Sequence, residues 1–171
     1  MKILRVILIT VLLAALSTPA SAGMLTLGAK ASIYNPPEAG ASPSLMYGFM
    51  LDYDINAVFH ARAGAHYTSY TANDVDYTLM PITLDILAHL MPGNNVDPYL
   101  GVGVGYYSKT IDGEESSHTG GQAIAGIKFN LGGFSAAFEA TYMVPDLAKS
   151  EEGSFAWGGW ASGSTYVYVP F

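Results

Sequence analysis

"PYLGVGVGYY" (residues 98–107) sets Gly101, Gly103 and Gly105 at every second position of a run that otherwise favours a β-strand. Glycine-rich turns cradle phosphates at helix N-termini, whereas alternate glycines can line one strand face where something large sits opposite. The spacing does not fit G-x-G-x-x-G, because position 106 is a tyrosine, and no helical pattern follows. The stretch therefore reads as a strand with the three glycines on one face. Leu100, Val102, Val104 and Tyr106 share the other face.

The rest of the chain repeats this period. It opens with a basic Lys2 and Arg5, an apolar run from Val6 to Leu16 broken only by Thr10, and Ala20-Ser21-Ala22. That order identifies a secretory signal peptide over residues 1–22, cleaved after Ala22, which leaves one domain at 23–171. No cysteine follows the cleavage site, so a lipoprotein, disulfides and thiolate metal sites are all excluded. Beyond residue 22, five basic residues face fourteen acids, a balance that argues against nucleic acid as a partner. Half of the chain is hydrophobic and only 12% is charged. Yet no later stretch approaches the roughly 20 apolar residues of a membrane helix. The apolar residues are spread by alternation instead.

Eight alternating segments emerge: Met24–Tyr34, Ser44–Asp54, Ala57–Thr71, Tyr77–Met91, the opening stretch, Gln122–Leu131, Phe134–Met143 and about Phe155–Phe171. The gaps alternate too. "NPPEAGASP", "ANDVD", "KTIDGEESSHTG" and "VPDLAKSEEGS" are long and polar, while "DIN", "PGNNVD" and Gly132-Gly133 are short. Long loops on one side and short turns on the other suit a small outer-membrane barrel. The predicted fold is all-β: an eight-stranded antiparallel up-and-down transmembrane β-barrel, apolar outside and polar inside.

The polar faces carry Lys30, Asp52, Arg62, Asp85, Lys128 and Glu139, three cations against three acids, and these are predicted to form an ion-pair network in the lumen. Unpaired, such charges are costly to bury, and they cannot face lipid. The apolar faces end in aromatic residues. Tyr53, Phe59, Phe129, Phe134 and Phe171 fall at the periplasmic ends, and Tyr47, Tyr67, Tyr106, Tyr142 and Trp157 at the other ends. These are the two girdles expected at the bilayer interfaces.

"VDPYLGVGVGYYS", preceded by "MPITLDILAHL" and followed by "FEATYM", resembles the small outer-membrane β-barrel superfamily that includes the OmpW, OmpX and OmpA-barrel types. The resemblance spans the domain at 23–171. It implies location in the bacterial outer membrane, contact with its lipids and lipopolysaccharide, and insertion by the barrel assembly machinery. The family's terminal phenylalanine, its assembly signal, is matched by Phe171. Pro170 and Tyr166-Val167-Tyr168 depart from the usual clean alternation, which leaves the facing of strand eight open. A monomer is expected.

Candidates for chemistry are few. His60 and His66 are six apart on one strand, about 20 Å, too far to share an ion. His89 falls near His60, where a pair with Asp85 is conceivable; satisfied lumen polar groups are the favoured reading. Lipid A deacylases of this size carry an H-x-S pair, which "HARAG", "HYTSY", "HLMPG" and "HTGG" all lack. No catalytic residue, cofactor or metal site is assigned. The loops hold Glu38, Asp74, Asp76, Asp112, Glu114, Glu115, Asp146, Glu151 and Glu152 against Lys109 and Lys149. "DGEESSH" lacks the spacing of a calcium loop, so a solvated, repulsive rim is favoured over divalent bridging to lipopolysaccharide. Eight strands leave an interior that side chains can fill. That favours a plugged structural or surface-interaction protein over the narrow pore for small hydrophobic molecules that the OmpW resemblance implies.

Overall fold

The computed structural model describes residues 25–149 and 153–163. Eight strands run in sequence order: β1 (Leu25–Asn35), β2 (Ser44–Asp54), β3 (Phe59–Ala72), β4 (Val75–His89), β5 (Val96–Ile111), β6 (Glu114–Asn130), β7 (Phe134–Val144) and β8 (Ser154–Gly163). Each pairs antiparallel with its neighbours, and β1 closes on β8 from Leu27↔Gly163 to Asn35↔Phe155. A closed ring leaves no edge within the bilayer, which is what permits strands to cross it. One 3₁₀ turn, Leu147–Lys149, lies before β8.

The side-chain period of two sorts the residues as the sequence implies. Phe49, Ile82, Leu84, Leu100, Val102 and Phe138 are among the exposed apolar residues of the outer wall. Tyr47, Tyr67, Tyr106 and Tyr142 stand on the outer face toward the extracellular end, with Tyr47 and Tyr67 at a centroid distance of 5.6 Å. Phe59, Phe129 and Phe134 are exposed at the periplasmic end, and Tyr53 closes β2 there. Phe171 lies outside the described residues. Strand β8 spans ten residues, with Phe155 and Trp157 facing out and Ala156, Trp160 and Ser162 facing in. The facing left open by the sequence is thereby decided for 154–162.

Two of the expected long loops are not loops. "ANDVD" and "KTIDGEESSHTG" are taken up by β3–β4 and β5–β6, which turn at Asn73-Asp74 and Asp112-Gly113. All four turn residues except Gly113 are non-glycine with positive φ (52°, 62° and 48°), and Gly113 has φ 89°. Paired left-handed residues form the tight turn whose twist matches that of a hairpin. The segments read as loops because both faces are polar. Above the bilayer the outer face meets water too, so the contrast of an apolar face with a polar one vanishes while the ladder continues. As a result β3 to β6 are 14 to 17 residues long and the other four strands 10 or 11. Four strands rise past the tyrosine girdle as a blade, about 17 Å along β3 from Tyr67 to Ala72. Gly113→Ala should cost roughly 1 kcal/mol through the left-handed turn. Hydrogen exchange is the measurement: the amides of 108–117 should exchange faster, with those of the bilayer-embedded strands unchanged.

Inside, two apolar clusters stack along the axis. Tyr34, Met46, Tyr70, Leu79, Tyr107, Met143 and Ala156 fill the extracellular half. Met50, Leu87, Tyr99, Ile124, Ala137 and Trp160 line the lower half. The β3–β4 ladder is interrupted where His66 and Tyr67 face Met80 and Pro81, since proline offers no N–H to it.

Candidate functional site

The centre of the lumen is Arg62, on β3 and 3% exposed. Its guanidinium grips Asp52 on β2 through two bonds, Nε to Oδ1 and Nη2 to Oδ2, both 3.1 Å. Its third side reaches across the barrel, Nη1 donating to Glu139 Oε2 on β7 at 2.6 Å. Lys30 on β1 pairs with the other oxygen of Glu139, and Thr141 donates to the same oxygen at 3.2 Å. Tyr99 on β5 donates its hydroxyl to Glu139 Oε2 at 2.7 Å and accepts from Trp160 Nε1 at 3.0 Å. The Tyr99 and Trp160 rings flank the guanidinium, with centroids 5.6 and 5.2 Å from its carbon. Planar, always-charged arginine is the side chain that can fill a bidentate, a monodentate and two π contacts together. Side chains from β1, β2, β3, β5, β7 and β8 thus meet in one bonded partition across the lumen.

Four of the six residues expected in the network meet here: Lys30, Asp52, Arg62 and Glu139. Asp85 and Lys128 do not. Asp85 accepts from Gln122 Nε2 at 2.6 Å and lies 3.5 Å from Thr83 Oγ1, and it forms no ion pair among the described residues. Lys128 sits at the periplasmic mouth and forms no ion pair among the described residues. Face and strand are given by parity. Height is not: strands in a barrel are tilted and staggered, so residues at similar positions along their strands lie at different levels.

The glycines of the opening stretch face inward, but what they admit is their neighbours. A Cβ on Gly101 would meet Leu87, one on Gly103 the Asp85 carboxylate, and one on Gly105 the Tyr107 ring at 2.9 Å. Among the described residues no lysine or arginine lies over them; the groups that take the space are Leu87, Asp85 and Tyr107. The same device recurs at Gly126, where the Tyr99 ring lies, and at Gly48 and Gly64, where the His66 ring lies. Tyr99 and Trp160 went unassigned on the sequence, although Tyr99 shares the parity of Gly101.

At the periplasmic mouth, His89 Nδ1 is 2.7 Å from Asp97 Oδ2, and His60 Nδ1 is 3.0 Å from Asp54 Oδ1. The imidazoles stack at 4.0 Å. His89 therefore pairs with Asp97, not Asp85: the side chain that the turn at 90–95 returns to it is the nearer acid. A cavity of about 510 Å³ opens there, lined by Asp54, His60, Asp97, Lys128 and Asn130 among others. At the extracellular mouth, Glu38 in the β1–β2 loop accepts from Lys109 Nζ at 2.5 Å and from Tyr70 at 2.9 Å. Asn73 Nδ2 donates to the carbonyl of Ala39 at 2.9 Å, which ties that loop to the β3–β4 turn. No group of three or more His, Asp or Glu placed to hold a metal occurs among the described residues.

The family model described as the outer membrane protein beta-barrel domain matches residues 7–164. Neisserial surface protein A (NspA) has a TM-score of 0.59 at 16% identity, covering 86% of this chain and all 100% of its own. The N-terminal β-barrel domain of Pseudomonas aeruginosa OprF gives 0.57 at 17% identity, over 82% of this chain and 98% of that one. Ail, the attachment invasion locus protein of Yersinia pestis, gives 0.54 at 17%, over 82% and 95%. At such identities the likeness is one of fold. No curated protein matches the sequence.

Proposed function

Since this chain belongs to the outer membrane protein β-barrel family and resides in the bacterial outer membrane, we propose that it is a plugged, non-enzymatic barrel serving a structural or surface-interaction role through its acidic extracellular face. The observation that carries this reading is the partition around Arg62. An aqueous path needs the buried charges apart, and here Arg62, Asp52, Lys30 and Glu139 are bonded to one another across the lumen. Separating one partner from another leaves an uncompensated charge out of water, which opposes opening. A charged centre also offers small hydrophobic molecules no path, which weighs against the narrow-pore alternative.

The blade gives the surface role its place. Asp74, Asp76, Asp112, Glu114 and Glu115 are exposed on it, and Lys109, the cation of its inner face, is engaged by Glu38. Such a surface repels other anions and favours partners with basic segments. The lipid-facing wall and girdles support outer-membrane lipid and lipopolysaccharide as its surroundings.

Single-channel recording in planar bilayers tests the reading. The wild type should show no steady ohmic step, and Arg62→Ala, shown to be folded by its heat-modifiable gel mobility, should show small ones. A steady step in the wild type that grows in Arg62→Ala would sink the plugged reading. Lipid A incubated with the refolded barrel should keep its mass.

A further inference from the structure

The two faces of the blade differ in chemistry. Along β3 to β6 the basic side chains Arg62, Lys109 and Lys128 all have the inward parity, and so do the four histidines. The outward parity carries the lipid-facing wall and then, beyond Tyr67 and Tyr106, turns to hydroxyls. Ser69, Thr78, Thr110 and Glu115 form one row across all four strands. In the row above, Thr71 pairs with Asp76; in the row below, Ser108 and Ser117 lie beside Met80. No lysine, arginine or histidine stands on this face of the four strands.

The two upper rows border a shallow hollow of about 350 Å³, lined by Ser69, Thr71, Asp76 and Thr78, with Tyr70 and Tyr77 between them along the strands. Thr71 donates its hydroxyl to Asp76 Oδ1 at 2.8 Å. Two strands away, Ser108 donates to Glu115 Oε1 at 2.7 Å. Each carboxylate on the face is thus held through one oxygen by a neighbouring hydroxyl. A hydroxyl both donates and accepts, and a carboxylate accepts only. Such a face complements a neutral ligand that is itself made of hydroxyls, and its uncompensated acids disfavour anions.

We propose that the outward face of the blade, centred on the hollow of Ser69, Thr71, Asp76 and Thr78, binds the sugar units of the lipopolysaccharide core. The face continues an interface already described. Ser69 lies about 7 Å along β3 from Tyr67, so the hydroxyl rows begin where the acyl chains on the wall below give way to their headgroups. Side chains on one face repeat at about 4.8 Å between strands and roughly 6.7 Å along them, a spacing at which one pyranose ring meets several hydroxyls at once. Sugar hydroxyls, not phosphates, are the groups recognised, because the face has no basic side chain to receive a phosphate. The proposal rests on lipopolysaccharide being the barrel's surroundings and assigns the surface that meets it.

The refolded barrel is titrated with rough lipopolysaccharide and, separately, with lipid A lacking the core sugars, with binding read by native mass spectrometry. The wild type should bind the first about tenfold more tightly, the net worth of one or two hydrogen bonds. The triple variant Ser69→Ala, Thr71→Val, Thr78→Val, shown to be folded by its heat-modifiable mobility, should bind both with the wild-type affinity for lipid A. Ser116→Ala, on the inward face, should keep the preference. Equal binding of the two by the wild type, or a preference that persists in the triple variant, overturns the proposal. Loss of the preference in EDTA also overturns it, since a divalent cation bridging Asp76 to core phosphate would then carry the contact. Binding of neither would remove lipopolysaccharide as the surroundings and the proposal with it, whereas equal binding of both removes the proposal alone.

Discussion

Glu139→Ala should destabilise the folded barrel by about 3–5 kcal/mol, the range found when one partner of a buried ion pair is removed. The carboxylate is the acceptor for Lys30, Arg62, Tyr99 and Thr141 at once. Its loss strands the Lys30 ammonium and one arm of Arg62 away from water, while Asp52 still neutralises the rest of the guanidinium. Glu139→Gln keeps an acceptor oxygen without the charge and should fall between wild type and alanine. Urea titration of refolded protein, read by heat-modifiable mobility, gives both differences. An alanine variant within about 0.5 kcal/mol of wild type would mean that the partition contributes little to stability, and the plugged reading would lose its support.

A single added methyl should have the next largest effect. Gly126→Ala places a Cβ against the ring and hydroxyl of Tyr99. That ring cannot retreat freely, because its hydroxyl is held by Glu139 and Trp160 and its face by Arg62. Overpacking of this kind typically costs about 1–3 kcal/mol. The strain depends on the ring, so the two positions must couple. In a Tyr99→Ala background, which opens a cavity of its own, Gly126→Ala should be neutral or slightly stabilising. If the cost of Gly126→Ala is unchanged in that background, the close approach of Tyr99 to Gly126 is not its cause.

Both predictions concern contacts between strands far apart in sequence, and that is where sequence reading runs short. The inward faces of strands one to seven were legible from alternation alone, and with them the candidacy of Lys30, Asp52, Arg62 and Glu139. Tyr99 was equally legible by parity, on the face of Gly101, but an uncharged aromatic residue there carries no signal that it will bond to a buried carboxylate, and it stayed unassigned. Asp97 hid in the "PGNNVD" turn, and only the return of β5 beside β4 sets it against His89. The blade was hidden for another reason. Alternation in sequence reports an apolar face against a polar one, and above the bilayer the outer face is polar as well.

What the sequence determined by itself is a closed, lipid-facing barrel of eight strands. A period of two with apolar residues on one face and charges on the other has no other home once every backbone group must be satisfied in lipid. What only the tertiary structure decided is who meets whom inside it. Tilt and stagger set the height of each side chain, so Arg62 is delivered to Glu139 rather than Asp85 to Lys128, and Asp85 has no ion-pair partner among the described residues. The opening glycines show the division plainly: their face follows from their spacing, but the side chains that occupy their space follow from register.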